Sequence, residues 1–183
     1  MSEFIDQTDK EILELLPVNG DQAMKLMFKK YYTFLTRVLI RVIKNENTVE
    51  DLAQDVFLDV WRKRDTINIK TSLKAYLRRA AVNKALNYIR DRKIRWEDEE
   101  NHPEMISKLV GANQLLEAEE LQTLIDQSID QLPDRCRLVF SLSRFEDMTY
   151  QEIADKLEIS KKTVENQVSK ALKLLRISLG NYL

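Results

Sequence analysis

Apolar residues recur along most of the chain at intervals of three and four positions, which is the spacing of an amphipathic helix. This spacing runs from about residue 21 to 44, from 72 to 95 and from 114 to 131, and a further helix is predicted to start at a cap formed by Thr48. Alternating apolar and polar positions are rare, and the chain has only three glycines and three prolines. The pattern predicts an all-α fold.

The last third of the chain contains a short and a longer amphipathic segment, separated by a break near Ser160. Thr149 and Glu152 have capping-box spacing, and Ser160 is a suitable N-cap. A short helix, a tight turn and a second helix form a helix-turn-helix, whose second helix can enter a DNA major groove. Glu158 stands where this turn usually has a glycine with positive φ, at a cost of roughly 1 kcal/mol. The predicted buried face of the second helix consists of Val164, Val168, Leu172 and Leu175.

Charge is unevenly distributed, although the net charge is only −1. Residues 61–96 have 12 basic and 2 acidic side chains, residues 97–134 have 1 and 11, and residues 135–183 have 9 and 6. Two basic blocks separated by an acidic one indicate two polyanion-binding modules. The predicted organisation is a helical domain at 1–96, an acidic linker at 97–113 and a second helical domain at 114–183.

The residues that enzymes and metal sites require are scarce. The chain has one histidine and one cysteine, far apart, and no glycine-rich phosphate loop or cysteine pair with zinc spacing. We therefore expect no enzyme activity, no metal and no cofactor. No apolar run is long enough to span a membrane, and the lone Cys136 suits a reducing compartment, so we expect a cytoplasmic protein.

The order of these parts resembles that of the extracytoplasmic-function (ECF) sigma factors of bacterial RNA polymerase. Residues 28–64 are similar to the first part of the family's region two, 72–93 to its promoter-opening part and 132–176 to region four. The resemblance implies two small helical domains, region two within 1–96 and region four within 114–183. It also implies the function: directing core polymerase to specific promoters, and recognising and melting the promoter DNA.

The resemblance, with the chemistry of the helix faces, also implies binding sites. The polymerase β′ clamp helices would contact Asp51, Gln54, Asp55, Phe57 and Trp61. The minus-ten element would contact the basic helix, where Asn83 belongs to the family's Ala-Val-Asn motif, through Tyr76, Arg78, Arg79, Asn83, Lys84, Asn87 and Arg90. The minus-thirty-five element would contact Ser160, Lys161, Lys162, Thr163, Glu165, Asn166, Ser169 and Lys170.

One of these positions departs from the family pattern, and two further partners are implied. Glu165 is acidic where family members often have a basic residue, which favours contact with cytosine. The resemblance also implies contact with the polymerase β flap. An anti-sigma factor, usually membrane-bound in this family, would cover the same surfaces.

Two other functions fit part of the sequence. A helix-turn-helix regulator that acts without polymerase would bind duplex DNA tightly, but it leaves the basic helix at 72–95 unexplained. A helical adaptor that binds only protein would show no salt-dependent DNA binding.

Overall fold

Each predicted amphipathic segment within the described part of the chain forms a helix. The computed structural model describes residues 9–69, 72–91 and 118–180, so the predicted linker at 97–113 lies outside the described residues. Within them the all-α prediction is confirmed, since they form eight helices and no strand. The helices are α1 (Asp9–Leu15), α2 (Gly20–Ile40), α3 (Glu46–Arg62), α4 (Leu73–Asp91), α5 (Ala118–Asp130), α6 (Asp134–Phe145), α7 (Tyr150–Leu157) and α8 (Lys161–Leu179).

The chain divides into two compact units, Met1–Arg92 and Lys93–Leu183. In the first unit α2 packs against α1, α3 and α4, and α3 also packs against α4. The apolar stripes of these helices meet in a core in which many side chains are fully buried, including Met27, Leu35, Val56 and Leu77. Burial of such apolar stripes is the main source of stability for short helices, which are only marginally stable in isolation.

Two predicted helix boundaries in the first unit are wrong. Helix α2 ends at Ile40 rather than near residue 44, and α3 begins at Glu46 rather than at Thr48. The cap of α3 is Asn45, whose side-chain oxygen accepts the Thr48 backbone N–H at 2.9 Å. Asparagine is as good an N-cap as threonine, and the cap lies three residues before the predicted one.

An ion-pair and hydrogen-bond cluster attaches α1 to α2. The Asp9 carboxylate accepts hydrogen bonds from the Lys30 ammonium, at 2.8 Å, and from the Tyr31 hydroxyl. Partial burial opposes ionisation of Asp9, but the bonds from Lys30 and Tyr31 outweigh it and lower the pKa of this carboxyl. Burial and the bond to Asp9 raise the pKa of Tyr31. The cluster therefore stabilises the fold most strongly with Asp9 ionised and Tyr31 protonated.

In the second unit α8 packs against α5, α6 and α7. The predicted capping box at the start of α7 is confirmed, because Thr149 and Glu152 bond each other's backbone N–H groups. The predicted N-cap of α8 is also confirmed, since the Ser160 hydroxyl accepts the Thr163 N–H at 3.0 Å. Helices α7 and α8 and the turn between them form the expected helix-turn-helix.

The turn between α7 and α8 has the strained residue that the sequence indicates. Glu158 is in the left-handed region at φ 56° and ψ 41°, and its N–H donates to the carbonyl of Ala154. The Ile159 N–H donates to the same carbonyl at 3.0 Å. These bonds satisfy an orphan carbonyl at the end of α7, which offsets the cost of the backbone conformation.

One predicted core position in α8 is wrong. The Leu172 residue is 52% exposed, whereas Ala171 is fully buried. At 3.6 residues per turn, positions 164, 168, 171 and 175 lie on one side of the helix, whereas position 172 lies beside that side. The small Ala171 side chain lets α8 approach the cluster formed by Ile129, Leu132, Cys136 and Phe140.

Candidate nucleic-acid and protein interfaces

The polar side of α3 forms one wall of an open groove. Asp51, Gln54 and Asp55, three of the predicted polymerase contacts, are exposed there. The groove has a volume of about 730 Å³ and combines carboxylates with apolar side chains. It is lined by Asp21, Met24 and Lys25 of α2 and by Asp51, Gln54, Asp55, Phe57, Leu58 and Trp61 of α3.

Trp61, which lines this groove, is half-buried and closely packed. The Arg64 guanidinium stacks over the Trp61 ring, 4.5 Å from its centroid, and donates to the Trp61 carbonyl at 3.1 Å. A Cβ atom at Gly20 would lie 2.8 Å from the Trp61 ring, closer than contacting carbons approach. Only glycine at the first position of α2 therefore allows this ring its observed position.

Phe57 is the one predicted polymerase contact that is buried, with 4% of its surface exposed. Its ring centroid lies 5.0 Å from that of Phe28, which stacks on Tyr32 at 4.6 Å. The structure therefore places Phe57 at the base of the groove. The exposed apolar side chain at the groove is Leu58, which is 41% exposed and lies in the turn between the predicted contacts Phe57 and Trp61.

Five of the predicted minus-ten residues share one side of α4. At 3.6 residues per turn they fall within an arc of roughly 80°. The helix buries its opposite side, through residues such as Leu77, Ala81 and Ala85, so the five side chains are at least partly exposed. We call these residues the basic stripe; they are Tyr76, Arg79, Asn83, Asn87 and Arg90.

The other two predicted minus-ten residues lie off the basic stripe. Arg78 is on the side of α4 that faces the core and is partly buried. Lys84 faces α3, where its ammonium lies 2.9 Å from the Asp59 carboxylate and 3.6 Å from the Asp55 carboxylate. The structure therefore brings Lys84 together with Asp55, which the sequence assigned to a different surface.

The predicted minus-thirty-five residues occupy the first half of α8 and its cap. Lys161, Lys162, Asn166, Ser169 and Lys170 are exposed, as is the cap. Most of these side chains lie opposite the buried positions of α8, on the side that would face the DNA if this helix entered a major groove.

Four of the predicted minus-thirty-five residues contact one another in two pairs. The Thr163 hydroxyl lies 2.8 Å from the hydroxyl of the cap Ser160. The Glu165 carboxylate accepts from Lys162 at 3.4 Å. An exposed pair of this kind is weak, so it does not prevent Lys162 from contacting a phosphate.

Sequence reasoning missed one candidate DNA contact on α8. Lys173 is exposed and lies seven positions after Asn166, two turns along the same side. The helical period was sufficient to find it, but the prediction ended at Lys170.

Gln167 lies between the predicted minus-thirty-five residues Asn166 and Ser169 but is partly buried. The Cys136 thiol, which is buried, donates to its side-chain oxygen at 3.0 Å. Burial raises the pKa of this thiol. The amide therefore helps to join α8 to α6.

Within residues 9–69, 72–91 and 118–180, no group of three or more His, Cys, Asp or Glu side chains is arranged to hold a metal ion. None of the helices in these ranges is both long enough and apolar enough to cross a membrane.

Comparison with known protein families identifies both units. Residues 27–94 match the model described as sigma-70 region 2, and residues 122–175 match that of sigma-70 region 4. The two matches together take in about two thirds of the chain and occur in the order that the sequence predicted.

Similarity to curated proteins extends along nearly the whole chain. The RNA polymerase sigma-H factor of Pseudomonas aeruginosa is 24% identical over 174 residues, which cover 90% of each chain. The ECF RNA polymerase sigma-E factor of Haemophilus influenzae is 23% identical over 178 residues, covering 92% of this chain and 93% of that protein.

A solved structure shares the fold. The structure of CnrH in complex with the cytosolic domain of CnrY matches with a TM-score of 0.50 and 19% identity, covering 97% of this chain and 100% of that one. With regions 2 and 4 both present and in order, the chain belongs to the extracytoplasmic-function group of the sigma-70 family.

Proposed function

We propose that this sigma factor directs core RNA polymerase to promoters by binding DNA through two separate surfaces, the basic stripe of α4 and the exposed side of α8. The observation that supports this most directly is that each family-matched unit exposes cationic and amide side chains along one side of one helix. Phosphates are bound by such cations, and base edges by such amides.

In this proposal the first unit performs region-two functions and the second unit performs region-four functions. The groove beside α3 would receive the β′ clamp helices of the polymerase, with Asp51 and Asp55 offering charge to a basic partner. Region four would bind the minus-thirty-five element and the β flap. The domain limits proposed from the sequence, 1–96 and 114–183 with an acidic linker between them, fit this division.

The basic stripe would open the promoter and hold one strand. Tyr76 would stack on an unpaired base, and Asn83 and Asn87 would bond exposed base edges. Arg79 and Arg90 would neutralise phosphates. The polymerase would supply the catalytic residues for RNA synthesis, so this chain would act in the cytoplasm as a binding protein rather than an enzyme.

An anti-sigma factor would compete for the same surfaces. The groove and the basic stripe are both exposed on the first unit, so one protein could cover them. In the solved structure, CnrH is in complex with the cytosolic domain of CnrY, and this supports a bound protein partner for the present chain as well.

Transcription from purified components tests the proposed function. Core polymerase with the full-length chain should start RNA synthesis from promoters of its source genome, and core polymerase alone should not. Failure at every promoter would refute the function. Tight, polymerase-independent binding to duplex DNA would instead support a regulator of the helix-turn-helix type.

Substitution of Asn83 tests the base-capture role. Asn83→Ala should reduce open-complex formation about tenfold, because a base-edge contact is worth about 1–3 kcal/mol, while polymerase affinity stays nearly unchanged. Asn47→Ala is the matched control, since Asn47 is exposed in the first turn of α3, outside the proposed surfaces. Equal loss of polymerase binding and strand opening in the Asn83 variant would contradict the role.

A further inference from the structure

We infer that Lys84 couples the polymerase-binding groove to the basic stripe, so that occupation of either surface strengthens binding at the other. This inference rests on the proposed function, and it assigns to Lys84 a linking role rather than that of a simple DNA contact.

The geometry of the Lys84 ammonium supports this role. It lies between two carboxylates of α3, at 2.9 Å from Asp59 and 3.6 Å from Asp55, and its side chain is only 23% exposed. The Asp55 side chain is 56% exposed and also lines the groove, so it is accessible to a bound partner. One carboxylate therefore belongs to both the ion pair and the polymerase-binding surface.

Competition for Asp55 produces the coupling. A basic side chain of the polymerase that pairs with Asp55 weakens the hold of this carboxylate on Lys84. The closer carboxylate, Asp59, still pairs with the ammonium. With one carboxylate fewer to neutralise it, the ammonium attracts a strand phosphate beside Asn87, one turn away on α4, more strongly. By linkage the reverse also holds: a phosphate that draws Lys84 away leaves Asp55 free for the polymerase.

The packing of α3 against α4 does not depend on this ion pair alone. The Thr48 and Tyr88 hydroxyls lie 3.3 Å apart across the same two helices, and Val56, Val60, Ala81 and Ala85 of these helices are buried. A variant without the Lys84 charge should therefore fold, and its effect on coupling can be measured separately.

The experiment measures the affinity of the full-length chain for core polymerase with and without a saturating single-stranded oligonucleotide. The oligonucleotide carries the non-template strand of a promoter that the transcription assay has identified. The ratio of the two affinities is the coupling. In Lys84→Gln this ratio should fall by about two- to fivefold, which is the range expected when a partly exposed ion pair is lost.

Arg79→Gln is the matched control. Like Lys84→Gln it removes one positive charge from α4, but from a residue of the basic stripe that does not face α3. It should weaken oligonucleotide binding but leave the ratio at saturation unchanged. A ratio that stays at the wild-type value in Lys84→Gln would overturn the inference, and so would an equal fall in both variants. Absence of core binding by the wild-type chain would refute the proposed function as well, which distinguishes the two failures.

Discussion

The left-handed residue in the helix-turn-helix turn allows a sharp test of the stability of the second unit. Glu158 has φ 56° and ψ 41° and is exposed. A side chain in this conformation costs about 1–2 kcal/mol relative to glycine. Glycine also loses about 0.5–1 kcal/mol more backbone entropy on folding. Glu158→Gly should therefore stabilise the second unit by about 0.5–1 kcal/mol.

A second variant separates backbone relief from loss of the carboxylate. Glu158→Ala removes the same charge near the start of α8 but keeps the Cβ atom, so the strain remains. The stability difference between the two variants thus reports on the backbone alone. We expect the glycine variant to be more stable than the alanine variant, and the alanine variant to be no more stable than the wild type.

Amide hydrogen exchange is the suitable assay, because it reports on each unit of the chain separately. Exchange of the buried α8 amides at Val168 and Ala171 should slow by roughly two- to fivefold in Glu158→Gly, as follows from the stability gain. Amides of α3 and α4 should exchange at wild-type rates and serve as the internal reference. Equal stabilisation by alanine, or faster exchange in the glycine variant, would refute the reasoning.

Three other substitutions test contacts that the structure describes. Asp9→Asn should destabilise the first unit by about 0.5–1 kcal/mol at pH 7 in urea unfolding. Because the pKa of Asp9 is lowered from 3.8, the extra stability of the wild type should be lost as the pH falls below that value. A wild type that is still more stable than the variant at pH 2 would contradict a stabilising role of the Asp9 carboxylate. Gly20→Ala should displace the Trp61 ring and weaken polymerase binding by about 1 kcal/mol in a competition assay. Adding Trp61→Phe, which has a smaller ring, should restore part of the polymerase affinity. An affinity that is not restored would argue against a steric cause. Lys173→Gln should weaken duplex binding equally for all sequences and lower the slope of log affinity against log salt by about 0.9. The control Lys156→Gln on α7 should leave that slope unchanged. An effect of Lys173→Gln that depends on the DNA sequence would show that Lys173 contacts bases.

Most of the second unit follows from local sequence signals. The capping box at Thr149 and Glu152, the Ser160 cap and the strained Glu158 all depend on residues within four positions of one another. Interactions over such short separations are formed by almost any helix that these residues begin or end, so they are predictable without the tertiary structure.

Predictions failed where two local signals competed or where an apolar residue lay at the edge of a stripe. Asn45 and Thr48 are both good caps, and both lie before the same apolar residues, so the sequence does not show which of them begins α3. Leu172 follows the apolar spacing approximately, but the packing of α6 and α8 buries Ala171 instead.

Local patterns along the sequence therefore determined the helices, the order of the two units and the cationic character of one helix in each, because period, caps and charge depend on neighbouring residues. Only the tertiary structure decided which side chains from distant positions meet: Gly20 against the Trp61 ring, and Lys84 between Asp55 and Asp59. Such contacts depend on the rotation and offset of one packed helix relative to another, and those are set by the fit of whole buried faces rather than by any local pattern.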